Sequence, residues 1–513
     1  MPLPDLIEIV PLDQPVRAEI TVPGSKSITN RALVLAALGD GETTLRGALW
    51  SEDTQVMVEC LQEMGFMVNA APDADEPCNR TITVYGLGGK VPRGGTEAQP
   101  MELFVGNAGT AARFLAAMVC LGEGVYRLHG VPRMHERPQA ALFQALRELG
   151  YRIDSASDKL PALIHGAGPK PGAKCRVSIE ESSQFASALL LSGGVGGWSV
   201  GVVGENAEES PYVAMTTELC KVFPIRGGEF QIEPDASSGS YFWAAGVLEN
   251  TVPTERKAGQ QYGNRIDSVL TIRVGAWPES SWQIDSRFPQ VMLNIAFVSV
   301  TFNSPIYKCF PAEPGWLAAP VPAGVDCDLT PTAPISRLRD LGDSIMTAVV
   351  MAPLAAAQFS FTDLGRLRVQ ECERVVALRT ELTKCGAKVI ETGDTLEVFP
   401  SPLHGATIET YNDHRMAMCF AVLGLKVPGL KIKNPACVKK TFPNFFQKLA
   451  AAPPHGLGAK ILDASGRTLS HEELFADGEE ARPHPGPLPQ ERERPSNILL
   501  RGCAVIASAR SPA

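Results

Sequence analysis

Six runs of small apolar residues along the chain each follow a polar or small residue, which is the pattern of a helix start. The heads of these runs are Ser25-Lys26-Ser27, Asn107-Ala108-Gly109-Thr110, Ser182-Ser183-Gln184, Asp235-Ala236-Ser237-Ser238, Asp343-Ser344 and Asp413-His414-Arg415. Unpaired N–H groups and the positive end of the helix dipole gather at a helix N-terminus, so six such starts turned toward one cleft would bind anions. The pattern therefore predicts a negatively charged ligand.

Several of these helices are followed by an extended segment and a second helix that stops at glycine. The second helices end at Gly65, Gly150 and Gly386, each of which precedes a β-like segment. The repeat predicts an α/β fold. Units of roughly fifty to a hundred residues are too long for the common solenoids and fit two domains of three units each.

The composition indicates a multidomain protein with a local anion site. A chain of 513 residues, 44% hydrophobic and 20% charged, is long enough for two or three cores. The net charge of −9 argues against general binding to nucleic acid or membrane surfaces, so an anion site must be a local cluster of cations. We expect a small ligand.

The chain lacks the sequence signals of secretion, membrane spanning and metal binding. Its N-terminus has neither a basic region nor a long apolar region, and eighteen apolar residues nowhere stand in a row. The twelve cysteines are scattered without a CxxC pair, as reduced buried thiols would be. We therefore expect a cytoplasmic protein, with no metal among its ligands.

The segment from Val22 to Arg31 has a glycine turn before a helix, and Lys26 and Arg31 add cations at the helix start. These residues suit a phosphate or a carboxylate. An ordinary Ser-capped helix with exposed Lys and Arg also explains them.

Gly109, followed by Arg113, repeats this pattern of a helix start with a nearby cation. A glycine at this position would let a ligand approach the backbone. Tight helix packing would require glycine there as well.

Further cations precede or begin other apolar runs, and they are Arg137, Arg374, Arg415 and Lys440. Taken singly, each fits an exposed charge, and Glu371 with Arg374 has the spacing of a helix-surface ion pair worth about 0.2–0.5 kcal/mol. The acid and base candidates are Asp343, which also has the position of an N-cap, and Glu371, which lies among arginines. The sequence contains no nucleotide-binding loop and no nucleophile elbow, so phosphate binding without a nucleotide motif remains.

The chain contains, in this order, the motifs VPGSKSITNRALVLAAL, NAGTAARF, RMHERP, SSQFASALLLS, EPDASS, LRVQECERVVAL, YNDHRMAMCF and VKKTFPNFF. Together they resemble the 5-enolpyruvylshikimate-3-phosphate (EPSP) synthases, the 3-phosphoshikimate 1-carboxyvinyltransferases of the shikimate pathway. The resemblance covers residues 8–248 and 324–450. It implies a two-domain inside-out α/β barrel of six βαβαββ units, three per domain, with the active site in the interdomain cleft. Domain I would comprise 1–22 and 242–450, and domain II 23–241.

The resemblance also implies a reaction and the residues that perform it. The enolpyruvyl group of phosphoenolpyruvate would pass to the 5-hydroxyl of 3-phosphoshikimate through a tetrahedral intermediate, with no metal or organic cofactor. The enzyme would be a monomer. The implied contacts to 3-phosphoshikimate are Lys26, Ser27, Arg31, Ser182, Ser183, Gln184 and Asp343. Those to phosphoenolpyruvate are Lys26, Asn107, Gly109, Arg137, Gln184, Arg374, Arg415 and Lys440. Asp343 would accept the proton of the 5-hydroxyl, and Glu371 would handle the proton at the methylene carbon, a role for which Lys26 competes.

Three parts of the chain depart from the family pattern. Gln370 stands where the family usually carries lysine, which removes one cation. In residues 249–323 the hydrophobic periodicity fails around Gln283-Ile284-Asp285, which stands in place of a Gln-Gly-Asp element. Compensated frameshifts explain this stretch better than a natural insertion, and we expect the fourth unit not to fold. The tail 451–513 has a Pro-rich stretch and no core-forming pattern, and we expect it to be disordered.

Two alternatives to an active EPSP synthase stay open. One is a UDP-N-acetylglucosamine carboxyvinyltransferase, which shares the fold but is disfavoured by the SKSxTNR, ERP and DHRMA strings. The other is an inactive relic, because the fourth unit is damaged.

Overall fold

The computed structural model describes residues 3–14, 16–204, 210–249, 251–253, 264–266, 272–296, 333–355 and 357–476. The helices of the described residues are α1 (Lys26–Leu38), α2 (Glu52–Glu63), α3 (Gly109–Met118), α4 (Pro132–Glu136), α5 (Ala140–Glu148), α6 (Gln184–Gly196), α7 (Pro211–Val222), α8 (Ala236–Glu249), α9 (Phe288–Ala296), α10 (Ile345–Met351), α11 (Arg374–Lys384), α12 (His414–Gly424) and α13 (Phe445–Ala450).

The strands of the same residues are β1 (Leu6–Ile9), β2 (Ala18–Ile20), β3 (Asp40–Leu49), β4 (Met67–Pro72), β5 (Asn79–Leu87), β6 (Met101–Phe104), β7 (Glu123–His129), β8 (Arg152–Asp154), β9 (Ala162–Ala167), β10 (Lys174–Ser178), β11 (Ser199–Val203), β12 (Gly228–Gln231), β13 (Thr251–Pro253), β14 (Asn264–Ile266), β15 (Ile272–Val274), β16 (Ile335–Ser336), β17 (Phe359–Thr362), β18 (Lys388–Thr392), β19 (Thr395–Phe399), β20 (Thr407–Ile408), β21 (Leu430–Lys433) and β22 (Ile461–Asp463).

Four sheets of four strands share one pattern, in which a parallel pair at one edge is followed by two antiparallel pairs. Their orders are β12-β3-β5-β4, β6-β7-β9-β8, β16-β17-β19-β18 and β20-β21-β1-β22. Two more parallel pairs are β10–β11 and β15–β2. The repeated pattern confirms the predicted α/β class with mixed sheets. None of the described sheets closes into a barrel, and the six-unit barrel stays a prediction.

Two of the helices behind the polar heads, α3 and α12, are buried on all sides. Every residue of α3 and of α12 is buried, as the runs of small apolar residues require. Such a helix exposes polar groups only at its ends, so its N-terminal head is where it can meet a ligand. No helix in the described ranges has both the length and the apolar character needed to cross a membrane.

The buried apolar side chains form two clusters. Cluster A contains members from Leu3 to Val22 and from Tyr241 to Ala476, and cluster B contains members from Ile28 to Ile232. The chain passes from cluster A to cluster B after Val22 and returns before Tyr241. The domain limits between residues 22 and 23 and between residues 241 and 242 remain predictions.

The described part of the fourth unit is folded, contrary to expectation. Strand β15 pairs in parallel with β2, and Phe288 and Met292 of α9 are buried in cluster A. Trp277 packs edge-on against Trp243 at 5.7 Å between ring centroids. The prediction that the buried faces of this unit lack partners is therefore wrong for residues 272–292, whereas 254–263, 267–271 and 297–323 lie outside the described residues.

The first part of the predicted disordered tail belongs to the core. Strand β22 pairs antiparallel with β1, where Ile9 lies opposite Ile461. Leu457, Leu469 and Leu474 are buried in cluster A. The prediction of disorder from Ala451 is wrong for 451–476, because these apolar residues add a strand to an existing sheet edge. Residues 477–513 lie outside the described residues.

Candidate active site

The six predicted helix starts meet at one cavity between the two clusters. Helices α1, α3, α6, α8, α10 and α12 begin within two residues of the predicted heads. The residues that these starts contribute to the cavity wall include Lys26, Thr110, Gln184, Ser237, Asp343 and Arg415. The convergence predicted from the polar heads is thus confirmed.

Charged side chains dominate the described wall of this cavity. Its seven cations are Lys26, Arg31, Arg113, Arg137, Arg337, Arg366 and Arg415. Its five acids are Glu181, Asp235, Asp285, Asp343 and Glu371. In a chain of net charge −9, this local excess of cations is the condition for binding small anions.

Most of the predicted site residues line the cavity, and the others lie directly behind it. Ten of the fourteen are on the wall, namely Lys26, Ser27, Arg31, Arg137, Ser182, Ser183, Gln184, Asp343, Glu371 and Arg415. The other four, which are Asn107, Gly109, Arg374 and Lys440, contact wall residues. The structure thus brings the predicted set together.

Helices α1 and α3 begin without a side-chain cap. Neither Ser25 before α1 nor Ala108 before α3 accepts a helix N–H through its side chain. By contrast, the carboxylate of Asp413 caps α12 and accepts the N–H of Arg415 at 2.9 Å. The interpretation of α1 as an ordinary Ser-capped helix is therefore wrong, and the first N–H groups of α1 and α3 are suited to an anion.

The side of the cavity formed by α1 and α6 is polar and hydrogen-bonded. Lys26 Nζ lies 3.1 Å from a carboxylate oxygen of Asp53. The amide nitrogen of the Gln184 side chain donates to Thr110 at 3.1 Å, and the Ser182 hydroxyl accepts the Gln184 N–H at 3.2 Å. These bonds fix the direction of Gln184 before any ligand binds.

Arg31 is a buried arginine, not the exposed charge of a surface helix. Its Nε donates to Thr216 at 2.7 Å, its Nη1 to the Ser27 carbonyl at 2.8 Å, and its Nη2 to Ser187 at 3.0 Å. A further bond from Nη2 reaches the Tyr212 carbonyl at 3.4 Å. Burial lowers the pKa of Arg31 to about 10.

Gly109 is required by two guanidinium groups that pack against it. A Cβ atom at this position would lie 2.3 Å from Arg113 Nη1 and 2.7 Å from Arg137 Nη2. Arg137 also donates to the carbonyl of Asn107 at 3.1 Å. The absence of a side chain at Gly109 therefore places both cations close to the start of α3.

Asp343 lies among three arginines. Arg337 Nη2 is 2.7 Å from Oδ1, and Arg415 Nη2 and Arg374 Nη1 are 3.2 and 3.9 Å from Oδ2. Burial acts to raise the pKa of Asp343, but the charges of Arg415, Arg337 and Arg374 outweigh it and hold the pKa well below its usual range. The N-cap prediction for Asp343 is wrong, because Ser344 occupies the cap position of α10.

Glu371 lies in the segment before α11, within a buried ion-pair network. Its Oε2 is 2.8 Å from Arg374 Nη2 and its Oε1 is 3.1 Å from Lys440 Nζ. The side chain of Arg374 is only 1% exposed and also binds Asp413 at 2.7 Å. Burial opposes ionisation of Glu371, but Lys440, Arg374 and Arg137 hold its pKa well below the usual range. The prediction of a helix-surface pair between Glu371 and Arg374 is therefore wrong.

Two cavity arginines, Arg337 and Arg366, were not predicted. Both lie in short segments with other arginines, and hydrophobic periodicity does not tell which of these face a cavity. Arg366 lies one residue before the motif LRVQECERVVAL. Gln370, in place of the expected lysine, lines the cavity and accepts a hydrogen bond from Arg374. The 3-10 turn before Gln370 contributes a cation to the cavity wall through Arg366.

The sequence is similar to one enzyme family over most of its length. The model of the family EPSP synthase (3-phosphoshikimate 1-carboxyvinyltransferase) matches residues 11–255 and 329–449. A 3-phosphoshikimate 1-carboxyvinyltransferase of Trichormus variabilis is 35% identical over 466 residues, which is 86% of this chain and 98% of the relative. That of Opitutus terrae is 35% identical over 479 residues, 88% of this chain and 98% of the relative. The unmatched interval 256–328 overlaps the predicted departure at 249–323.

Two solved structures resemble the chain in fold. The EPSP synthase of Acinetobacter baumannii superposes with a TM-score of 0.62 at 20% identity, over 89% of this chain and all of the other. The enolpyruvyl transferase NikO of Streptomyces tendae gives a TM-score of 0.58 at 16% identity, over 91% and 99% of the two chains. At these identities the structures support the fold alone.

Proposed function

Because the chain belongs to the EPSP synthase family, we propose that it transfers the enolpyruvyl group of phosphoenolpyruvate to the 5-hydroxyl of 3-phosphoshikimate. The products are 5-O-(1-carboxyvinyl)-3-phosphoshikimate and phosphate. The chain is a carboxyvinyltransferase of the shikimate route to aromatic amino acids. Its curated relatives act on 3-phosphoshikimate by name, which disfavours transfer to UDP-N-acetylglucosamine.

The observation that best supports this proposal is that six helix starts and seven cations of the described residues meet at one cavity. Each substrate bears a phosphate and a carboxylate, so the pair brings several negative charges to one place. Fixed cations and helix N–H groups in a cavity that excludes water stabilise such charge more than mobile solvent does. The packing of 272–292 supports an active chain over an inactive relic.

For 3-phosphoshikimate, we propose a place beside the starts of α1 and α6. The proposed contacts are Lys26, Ser27, Arg31, Ser182, Ser183, Gln184 and Asp343, all of which line the cavity. Serine hydroxyls and helix N–H groups suit the phosphate. Asp343 suits the hydroxyl side of the ring, because a carboxylate accepts hydrogen bonds from hydroxyl groups.

For phosphoenolpyruvate, we propose the adjoining side of the cavity, at the starts of α3 and α12. The proposed contacts are Lys26, Asn107, Gly109, Arg137, Gln184, Arg374, Arg415 and Lys440. Arg137 and Arg415 lie on the wall and offer guanidinium groups that fit a carboxylate or phosphate in bidentate fashion. Arg374 and Lys440 also form ion pairs with Glu371.

We assign the proton transfers from charge states. In the addition, the 5-hydroxyl oxygen bonds to C2 of phosphoenolpyruvate, its proton leaves to Asp343, and C3 gains a proton. In the elimination, C3 loses a proton and the C2–O bond to phosphate breaks. Glu371 is held ionised by Lys440 and Arg374, so it suits removal of the C3 proton. Lys26, which also lies on the cavity wall, is the competing candidate for proton transfer at C3.

We further propose that the two clusters correspond to the two domains of three units expected of the family. The repeated strand pattern of the four sheets supports this arrangement. A cytoplasmic location, a monomeric state and the absence of nucleic acid from the partners complete the proposal.

Phosphate release by the purified full-length chain tests this function. The assay contains phosphoenolpyruvate alone, with 3-phosphoshikimate, or with UDP-N-acetylglucosamine. Release that requires 3-phosphoshikimate supports the proposal. Release that requires the UDP sugar would replace it with the sister reaction.

A further inference from the structure

Arg366 reaches across the cavity from one cluster to the other. It lies in a 3-10 helix, Gly365–Val369, where Leu364 and Leu367 on either side are buried in cluster A. Its Nη2 donates to the carbonyl of Ile179, a member of cluster B, at 2.5 Å. The guanidinium therefore lies on the cavity wall at a point where the two clusters face each other.

Within the described ranges, Arg366 has no carboxylate partner. Arg368 in the same turn shows the contrast, because it contacts Glu373 at 2.6 Å and Glu391 at 2.7 Å. Burial lowers the pKa of Arg366 to about 10, and the nearby charge of Arg337 adds to this effect. A partly buried cation beside a second cation is costly unless an anion compensates it. The position therefore suits an anionic ligand.

A count of hydrogen-bond donors distinguishes Arg366 from Arg31. A guanidinium carries five N–H donors. Arg31 directs four described hydrogen bonds to protein groups, whereas Arg366 directs one. A phosphate accepts several hydrogen bonds at once, and Arg366 retains the donors to supply them.

The contact with Ile179 places Arg366 near the start of α6. Ile179 precedes Ser182 and Ser183 by three and four residues, and both serines line the cavity. Glu181 is the acid on this stretch of wall, and it is exposed, so solvent screens its charge. The guanidinium and the two serines thus face the same end of the cavity.

We propose that Arg366 is a ligand of the phosphate group of 3-phosphoshikimate. It approaches the phosphate from the cluster A wall, whereas Ser182, Ser183 and Arg31 lie on the cluster B wall. This inference rests on the proposed function, because it names a substrate of that reaction. A phosphate bound in this way joins the two walls of the cavity through charge.

Calorimetry with the full chain tests the proposal in the absence of phosphoenolpyruvate. The ligands are 3-phosphoshikimate and shikimate, which differ only in the phosphate. Arg366→Gln removes the charge at nearly constant size, and we expect it to weaken 3-phosphoshikimate binding by about ten- to hundredfold. Shikimate binding should stay within about twofold of wild type, because shikimate lacks the group that Arg366 contacts.

Arg133→Gln is the matched control for a contact that merely joins the two walls. Arg133 donates to the carbonyl of Gln370 at 3.4 Å and thus also joins segments from the two sides, but it is not among the residues that line the cavity. We expect this variant to bind 3-phosphoshikimate within about twofold of wild type. Arg366→Lys keeps the charge with fewer donors, and its affinity for 3-phosphoshikimate should fall by about three- to tenfold.

The possible results separate this inference from the function on which it rests. Unchanged 3-phosphoshikimate affinity in Arg366→Gln overturns the inference, and so does an equal loss for both ligands, which would indicate a structural role. If Arg366→Gln does not fold, an unchanged affinity in Arg366→Lys overturns it. A wild-type chain that neither binds 3-phosphoshikimate nor releases phosphate with it overturns the proposed function as well.

Discussion

The guanidinium of Arg337 donates a 2.7 Å hydrogen bond to Oδ1 of Asp343. The two side chains are 5% and 15% exposed, so little water screens the attraction. Arg415 and Arg374 face the other carboxylate oxygen. Asp343 is therefore kept ionised from several sides, which preserves its ability to accept a proton but weakens it as a base.

Replacing Arg337 by methionine should raise the pKa of Asp343, because one of its three cations is lost. Since ionised Asp343 is the proposed acceptor, the fall in turnover toward acidic pH should begin at a higher pH in the variant than in wild type. The other cations at the carboxylate, Arg415 and Arg374, and the neutral phenol of Tyr212 nearby remain in place. The pH dependence of kcat measures the shift.

Arg339→Met is the control for this experiment, because Arg339 lies two residues away and is exposed. The pH dependence of kcat on the acidic side should be the same in Arg339→Met as in wild type. If the pH dependence of Arg337→Met on this side also coincides with wild type, Arg337 does not set the ionisation of Asp343.

Asp343→Asn should lower turnover by about 10²–10⁴-fold, the range of general base catalysis, because the amide cannot accept the hydroxyl proton. The affinity for 3-phosphoshikimate should stay nearly intact, since the amide keeps the shape of the carboxylate. Single-turnover kinetics and calorimetry on the same preparation separate the two effects. Turnover at the wild-type rate would remove Asp343 from the chemistry.

Gly109→Ala should weaken phosphoenolpyruvate binding, because the new Cβ would displace the guanidiniums of Arg113 and Arg137. We expect KM for phosphoenolpyruvate to rise by about tenfold and KM for 3-phosphoshikimate to change by less than about threefold. Gly194→Ala in α6 is the control, since no atom lies within 4 Å of a Cβ there. Equal KM values in wild type and Gly109→Ala would contradict the placement of Arg137 at this substrate.

Ile461→Ala should destabilise the whole protein, although the sequence pattern placed this residue in a disordered tail. Ile461 is 1% exposed and lies in β22, so its truncation should cost about 2–4 kcal/mol of unfolding free energy. Urea denaturation measures the loss, with the exposed Thr468→Ala in the same hairpin as control. Equal stability of both variants would show that 451–476 do not contribute to the fold.

The sequence was sufficient for the features that depend on local pattern. A polar head followed by small apolar residues specifies both a helix start and burial of the helix behind it, as α3 and α12 show. Six such starts predicted one shared cavity, and the family motifs predicted many of the residues that lie on its wall. These signals lie within single segments of the chain.

The sequence was insufficient where a side chain's role depends on distant segments. Glu371 and Arg374 have the spacing of a surface pair, but contacts with Asp413 and Lys440 from other parts of the chain make the pair buried. Arg366 and Arg368 differ by two residues, yet only Arg366 reaches the cavity. Strand β22 was missed because a short strand at a sheet edge needs only a few apolar residues when its partner already exists.

Phosphorus NMR of the purified chain with both substrates follows the proposed reaction itself. The signals of phosphoenolpyruvate and 3-phosphoshikimate should decline together. Free phosphate and one new phosphoshikimate signal should appear in equal amounts, and neither should form when 3-phosphoshikimate is omitted. Folded protein that leaves both substrate signals unchanged, or that releases phosphate without consuming 3-phosphoshikimate, would contradict the proposed transfer.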